Sequence, residues 1–232
     1  MRQPHPNTLL VEGKDDFNVI RNLWVNRFPS DRSGDIVLCP NGKDEFKIRQ
    51  AGEESETGGD SKLLRSFSAH IRQWPPDLER LGIVMDADEQ VDRRWKQVTD
   101  RLYSEGYEPP PNPPAGGLVL EHPAPTRPRI GVWLMPDNHI PGKLEDFVRL
   151  LIPKDNALGL KADDVLNDIE REKLQLYASK DRPKAFIHTW LAWQKKPGRP
   201  MGQAFTNRAL QPDSPAADPF IAWLQRLFCA AP

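Results

Sequence analysis

The sequence predicts an α/β protein, built on a mostly parallel sheet with helices on both faces. Over the first two thirds of the chain, short apolar runs alternate with segments of helical periodicity, which is typical of parallel sheets. The last third consists of helical segments around a stretch rich in Pro and Gly. We therefore divide the chain into an α/β domain at residues 1–153 and a helical C-terminal extension at residues 154–232, packed on that domain.

Short-range patterns predict each element of the first half in turn. Apolar runs that end in turn residues predict strands at residues 8–12, 35–39 and 82–85. Large apolar side chains recur at helical spacing in residues 15–28, 61–74 and 91–106. Pro29, Pro75-Pro76 and Gly106 end the three helices, and Pro40-Asn41-Gly42 is a strong turn after the second strand. Residues 51–60 are acidic and rich in Gly, which predicts a mobile loop.

The second half continues with a hairpin and then helices. Residues 118–121 and 129–135 are apolar runs joined by a Pro-rich segment, which favours a wide β-hairpin. Residues 143–152 have the pattern of a short amphipathic helix. Three further helices are predicted in the extension, at residues 162–178, 184–193 and 219–228.

Acidic residues follow three of the predicted strands. The segments are Leu9–Asp16, Leu81–Asp88 and Gly131–Asn138, and Gly142–Asp146 comes soon after the last of them. Because the carboxyl ends of parallel strands line one edge of a sheet, these carboxylates are expected to gather there. Carboxylate oxygens in such a group repel one another unless a cation lies among them, and they suit Mg²⁺ or Mn²⁺. The pattern therefore predicts a divalent-metal site and phosphate chemistry.

Composition narrows the classes of function. The net charge of −1 provides no global basic field, so tight nonspecific nucleic-acid binding by the chain alone is disfavoured. The two cysteines, Cys39 and Cys229, predict neither a disulfide framework nor a zinc site, so free thiols in a reducing compartment are the simplest interpretation. The chain has no apolar run long enough for a membrane span and no signal-peptide pattern at its start, so a cytoplasmic protein is expected.

Two of the acidic motifs resemble those of the Toprim domain. Glu12-Gly13 followed by Asp16 matches its Glu-Gly-x-x-Asp signature, and Asp86-Ala87-Asp88 matches its Asp-x-Asp signature, in the same order along the chain. This resemblance covers roughly residues 6–153. The Gly that often follows Asp-x-Asp in primases is replaced by Glu89, and no topoisomerase tyrosine region or primase zinc ribbon is present. The resemblance therefore implies neither a topoisomerase nor a complete primase.

A wider resemblance spans nearly the whole chain. Met135–Asn138 with Gly142–Phe147, and the later segments Lys184–Ala192, Pro197-Gly198 and Trp223–Phe228, resemble a bacterial family of stand-alone Toprim-like proteins of unknown function. OLD-type (overcoming-lysogenization-defect) nucleases join a Toprim domain to an ATPase domain. The resemblance thus implies a separate ATPase as partner, because this chain has no Walker motif.

The first two motifs supply the principal candidate site residues. Resemblance assigns Glu12 as a metal ligand or general acid/base, and its alternative role is a strand-end partner of Lys14. Asp16, Asp86 and Asp88 are candidate metal ligands. The alternative for Asp16 is a helix N-terminal charge, and for Asp86 and Asp88 a solvated turn with a helix cap.

The third motif supplies further candidates. Asp137 and Glu145 are candidate ligands of a second metal ion, with a turn and a first helical turn as their alternative roles. Lys14 and Lys143 are candidates for holding a phosphate or stabilising developing charge. His188 and the tryptophans are assigned to helix faces and packing.

Three functions remain open at this point. The first is a nuclease that uses Mg²⁺ or Mn²⁺ to cut phosphodiester bonds of DNA or RNA, working with the separate ATPase. The second is a non-catalytic module that binds a metal or nucleotide on the same scaffold, because a fold does not fix a function. The third is nucleotidyl transfer at the same acidic site.

Overall fold

A six-stranded sheet forms the centre of the protein in the computed structural model, which describes residues 5–29, 34–51, 60–73 and 78–229. The strands are β1 Asn7–Val11, β2 Ile36–Leu38, β3 Glu45–Gln50, β4 Arg80–Asp86, β5 Leu118–Leu120 and β6 Arg129–Met135. Their order is β2-β3-β1-β4-β6-β5. The four inner strands are parallel, and the edge strands β2 and β5 each run antiparallel to their neighbour. The predicted fold class is confirmed.

Helices cover both faces of this sheet. They are α1 Lys14–Arg27, α2 Asp60–Gln73, α3 Val91–Ser104, α4 Leu144–Leu150, α5 Ala157–Arg171, α6 Arg182–Ala192, α7 Gln203–Thr206 and α8 Asp218–Phe228. Successive strand residues point to opposite faces, so Leu10 and Ile83 pack with α2 and α3, while Leu9 and Val84 pack with α1 and the C-terminal helices. The C-terminal extension therefore shares its hydrophobic core with the sheet.

The last helix, α8, packs against two glycines that lie opposite each other in the sheet. Gly82 of β4 pairs with Gly131 of β6, and both lie beneath Leu227 of α8. A Cβ atom on Gly82 would come within 2.9 Å of the Leu227 side chain and 3.0 Å of Phe228. The missing side chains allow α8 to approach the strands closely, which a larger residue would prevent.

Several elements differ from the sequence prediction. β3 is absent from the predicted strands, although Phe46 and Ile48 alternate with polar residues after the Asn41-Gly42 turn, which is a hairpin signal. The predicted helix at 162–178 begins earlier, at Ala157, and ends at Arg171. The hairpin of β5 and β6 is confirmed. The predicted loop lies largely outside the described residues, at 52–59, as does the helix stop at Pro75-Pro76.

Cys39 and Cys229 form a disulfide bond, with their Cα atoms 5.7 Å apart. The expectation that these two cysteines stay unpaired is not met. The two residues are 190 positions apart, and only the packing of α8 beside the β2–β3 hairpin brings them together. Within the described ranges, no helix is both long and apolar enough to cross a membrane.

Candidate metal centre at the carboxyl edge of the sheet

The strands that end beside Glu12 and at Asp86 are direct neighbours. β1 pairs with β4 in parallel, with Leu9 opposite Gly82 and Leu10 opposite Ile83, so both strands end at the same edge of the sheet. A hydrogen bond joins the ends of these two strands. Glu12 Oε1, just after β1, accepts it from the backbone N–H of Asp86 at the end of β4, at 3.2 Å. β6 flanks β4 on its other side, so the loops after all three strands meet at one edge.

Asp16 lies buried in the first turn of α1, with 9% of its surface exposed. Its Oδ2 accepts a hydrogen bond from the backbone N–H of Gly13, at 3.2 Å. Burial raises the pKa of Asp16 to about 6, and the negative charges of Glu145 and Asp15 add to this effect, although backbone N–H groups at the helix start act against it. Asp16 is therefore both a helix cap and a member of the acidic group, which consists of Glu12, Asp16, Asp86 and Glu145.

Asp86 is the most strongly perturbed carboxylate of this edge. Burial at the end of β4 is the main cause that raises the pKa of Asp86 to about 8, followed by repulsion from Asp16 and Glu145 and, more weakly, from Asp88. A hydrogen bond that Asp86 Oδ1 accepts from the Leu144 N–H, at 2.9 Å, opposes the shift. The structure thus holds several negative side chains close enough to repel one another.

Asp88 is engaged differently from Asp86, although it lies only two residues further on. Its Oδ2 forms an ion pair with Arg94 of α3, whose side chain is 3% exposed. Its other oxygen, Oδ1, lies 4.0 Å from Lys143 Nζ. The Asp88 backbone exchanges two hydrogen bonds with Gly142, at 2.9 and 2.8 Å, so this residue joins the loops after β4 and β6.

The two candidate ligands of the third motif have different surroundings: Glu145 lies in the acidic group, whereas Asp137 is bound within its own loop. Glu145, in the first turn of α4, is one of the charges that raise the pKa of both Asp16 and Asp86. Asp137 Oδ1 instead accepts hydrogen bonds from the N–H groups of His139 and Ile140, each at 2.9 Å, in the turn proposed as its alternative role. Asn138 completes this turn because its buried Oδ1 accepts a bond from the Leu134 N–H.

The helices α1 and α4 begin in the same way beside the acidic group. Asp146 Oδ2 accepts a hydrogen bond from the Lys143 N–H, at 2.8 Å, as Asp16 does from Gly13. In each helix the carboxylate is the third helical residue and binds the N–H of the residue before the helix. Burial raises the pKa of Asp146, while this hydrogen bond and the charges of Arg149 and Lys143 lower it. Two helix N-termini, which favour negative charge, therefore lie at this edge.

The two candidate lysines occupy different positions. Lys143 is partly exposed, and its Nζ lies between Asp88, at 4.0 Å, and Asp181 of the C-terminal extension, at 3.8 Å. Lys14 is exposed at the start of α1. Arg94 belongs to this edge although no sequence pattern marked it, and Asn138 belongs to it although the third motif included it without assigning it a role at the site. The sequence around Arg94 does not indicate its role, because its partner Asp88 lies six residues earlier in a loop. Asn138 could have been found, because it lies in a predicted turn.

The donor set at this edge suits a hard cation. Glu12, Asp16, Asp86 and Glu145 offer carboxylate oxygens, the ligands that Mg²⁺ and Mn²⁺ prefer. A cation among them would offset both the burial and the repulsion that raise the pKa of Asp86. In the part of the chain that the structure describes, no three His, Cys, Asp or Glu side chains are already arranged around a single metal position.

The fold and this edge define an α/β protein with an acidic group at the carboxyl ends of its central parallel strands. The chain belongs to the DUF3226 family of proteins of unknown function, which matches it over residues 6–229. The expected membership of a family of unknown function is thereby confirmed. The chain is also similar to the crystal structure of hypothetical protein PH0156 from Pyrococcus horikoshii OT3, with a TM-score of 0.51 and 13% identity over 96% of this chain and 95% of that one. Comparison with curated proteins gave no match.

Proposed function

We propose that the protein is a Toprim-like enzyme that uses Mg²⁺ or Mn²⁺ to cleave phosphodiester bonds of DNA or RNA. The observation that carries this proposal is the convergence of Glu12, Asp16 and Asp86 at one sheet edge, with the pKa of Asp86 raised to about 8 by burial and by neighbouring carboxylates. Ionisable groups perturbed in this way are frequent at functional sites. The order of the two motifs on adjacent parallel strands supports the Toprim-like assignment.

The proposed roles follow from where each side chain lies. A bound divalent cation would polarise the phosphate and favour ionisation of an attacking water. Asp16 and Asp86 would hold the cation, and Glu145, which lies close enough to raise the pKa of both, would join them or hold a second ion. Glu12 would exchange a proton with the attacking or leaving oxygen.

The flanking residues would have supporting roles. Lys143 would stabilise charge that develops on the phosphate, because its ammonium group borders the acidic group without closing onto one carboxylate. Asp88 would mainly position the β4 loop through Arg94 and Gly142. Lys14, which is exposed, and Asp137, which is engaged in its own turn, are assigned the weakest contributions.

A separate ATPase is the proposed partner. The chain has no Walker motif, so the resemblance assigns ATP hydrolysis to a separate protein, and its net charge of −1 provides no strong general attraction for nucleic acid. A partner that holds and moves the nucleic acid would supply both. The proposal takes this arrangement from the resemblance to OLD-type nucleases.

Plasmid cleavage tests the proposed activity. We expect the purified protein, with or without the candidate ATPase, to nick supercoiled plasmid in Mn²⁺ or Mg²⁺ and to stop in EDTA. Glu12→Gln should reduce the rate by about a hundredfold or more, because general acid–base groups contribute on this scale. Glu108→Gln is a matched control, since Glu108 is exposed on a loop after α3. Equal rates for Glu12→Gln and wild type would overturn the proposal.

A binding module is the second candidate, favoured by the interactions that already engage some of these carboxylates. Arg94 neutralises Asp88, and the Asp86 N–H engages Glu12, as expected where acidic side chains serve structure. This candidate replaces the enzyme if Mn²⁺ binds to the wild type and no cleavage occurs under any of the plasmid conditions. Nucleotidyl transfer, the third function, would instead appear as incorporation of a labelled nucleotide into a nucleic-acid strand, catalysed at the same acidic site of the protein.

A further inference from the structure

A pocket of about 330 Å³ opens beside the acidic group. The loop after β4, the start of α3, the start of α4 and the short 3-10 turn Ser179–Asp181 form its walls. Its lining residues are Asp88, Glu89, Gln90, Arg93, Lys143 and Lys180. The pocket therefore joins the candidate metal centre to the C-terminal extension.

Three cationic side chains from three separate elements meet in this pocket. Arg93 comes from α3, Lys143 from the start of α4 and Lys180 from the 3-10 turn. Arg93 and Lys180 are exposed, so their charges face an incoming ligand. Among the acidic lining residues, Asp88 already forms an ion pair with Arg94, which lies outside the lining. Glu89 in the lining and Asp181, 3.8 Å from Lys143 Nζ, offset part of this positive charge. With Arg94 paired to Asp88, a small excess of positive charge remains at the pocket and favours an anion, even though the whole chain is nearly neutral.

The start of α3 strengthens this preference. The helix is 14 residues long, and Gln90 at its N-cap makes no side-chain hydrogen bond to the helix within the described structure. Backbone N–H groups at such a helix start carry partial positive charge and bind phosphate oxygens readily. Gln90 lines the pocket, so this helix end adjoins the three cations.

We infer that this pocket binds a backbone phosphate of a nucleic-acid strand and so positions the strand beside the acidic group. The inference rests on the proposed function for the identity of the ligand, and it assigns the C-terminal extension a role in substrate binding through Lys180. The position of Lys143 at the border of pocket and acidic group, 4.0 Å from Asp88, places the anion next to the proposed reaction site.

A larger cleft elsewhere is less suited to this ligand. It measures about 1290 Å³ and includes Arg80, Arg129 and Arg226 at the edge opposite the acidic group. These guanidinium groups bind the Phe228 carbonyl, the Glu121 carboxylate and the Gly116 carbonyl, so their hydrogen-bonding capacity is partly used within the protein.

Binding without catalysis tests the inference. The probe is a fluorescein-labelled single-stranded oligonucleotide, titrated by anisotropy in EDTA over a series of salt concentrations, so that cleavage plays no part. Arg93→Ala and Lys180→Ala should each weaken binding about three- to fivefold, and the double variant on the order of tenfold. The double variant should lower the slope of log affinity against log salt by about 0.7, because the one phosphate contact of the pocket is lost, and each single variant should lower it by less.

Lys161→Ala is the matched control, because Lys161 is exposed on α5, lies outside the pocket lining and carries the same charge. We expect its affinity and salt slope to equal those of the wild type. The inference is overturned if the wild type does not bind at low salt, or if Lys161→Ala weakens binding as much as Lys180→Ala. Pocket-dependent binding without plasmid cleavage would preserve this inference while the proposed enzyme activity fails.

Discussion

We expect Asp86 to lower the free energy of unfolding of the metal-free protein at neutral pH. Asp86→Asn should therefore make the protein more stable. The folded protein raises the pKa of this carboxyl from 3.8 to about 8. Because the pKa is higher in the folded state than in the unfolded state, ionisation of Asp86 favours unfolding. The free energy of unfolding therefore decreases by the contribution of this group as the pH rises from 3.8 towards 8. Asparagine keeps the shape and an oxygen that can accept the Leu144 N–H bond, but it carries no charge.

The magnitude follows from the pH interval. Between 3.8 and pH 7 lie about three pKa units, and each unit corresponds to about 1.4 kcal/mol, so the upper limit is about 4 kcal/mol. Asp86 is only partly buried, and water and side-chain rotation relieve some of the repulsion. We therefore expect Asp86→Asn to raise the free energy of unfolding by about 1–3 kcal/mol at pH 7.

Urea denaturation in EDTA measures this effect. The stability difference between Asp86→Asn and wild type should be small at pH 4 and should widen up to pH 8. Added Mn²⁺ should then narrow the difference, because the wild type gains stability by binding the ion. A variant that is no more stable than wild type at pH 7.5 in EDTA would refute the argument that burial and neighbouring carboxylates make the Asp86 charge unfavourable in the folded protein.

The other predictions use the same purified protein. Asp88→Asn should have the opposite effect from Asp86→Asn and lower the free energy of unfolding by about 2 kcal/mol, because the buried guanidinium of Arg94 loses the negative charge of Asp88. Urea denaturation of both variants at pH 7 measures this difference. Calorimetric titration with Mn²⁺ should show weaker binding to Asp86→Ala and nearly unchanged binding to Asp137→Ala, since Asp137 is engaged in its own turn, and equal losses would contradict the assignment. Gly131→Ala should destabilise the fold by about 1–3 kcal/mol, because the added methyl group would lie 3.1 Å from Leu227 Cγ. Gly159→Ala is the matched control, since its methyl group would meet only ordinary contacts and the substitution should be nearly neutral. Thermal unfolding of both variants measures the difference.

Local sequence patterns were sufficient to predict most elements and the positions of the main acidic residues. Alternation of strand and helix patterns depends on neighbouring residues, so β1, β4, β6 and the helices near them were predicted with small errors at their ends. The positions of Glu12 and Asp86 at strand ends follow from the same patterns. β3 was missed because its apolar residues are only Phe46 and Ile48, which make a short and weak alternation.

Interactions between distant residues were not predictable in this way. Asp86 and Asp88 have equivalent positions in the motif, but one meets other carboxylates and the other meets Arg94, which depends on how α3 and α4 pack. The joining of Cys39 to Cys229 likewise depends on the path of the chain back to the β2–β3 hairpin. No spacing rule relates residues that far apart.

The sequence alone therefore determined the class of fold and the presence of acidic residues at the ends of particular strands, because hydrophobic periodicity and turn residues act over a few positions. The tertiary structure decided which strands are neighbours, which carboxylates repel one another, and that Lys180 of the extension lies beside Arg93 and Lys143. The physical reason is that burial and charge interaction depend on distance in space, and that distance is set by the packing of the whole chain.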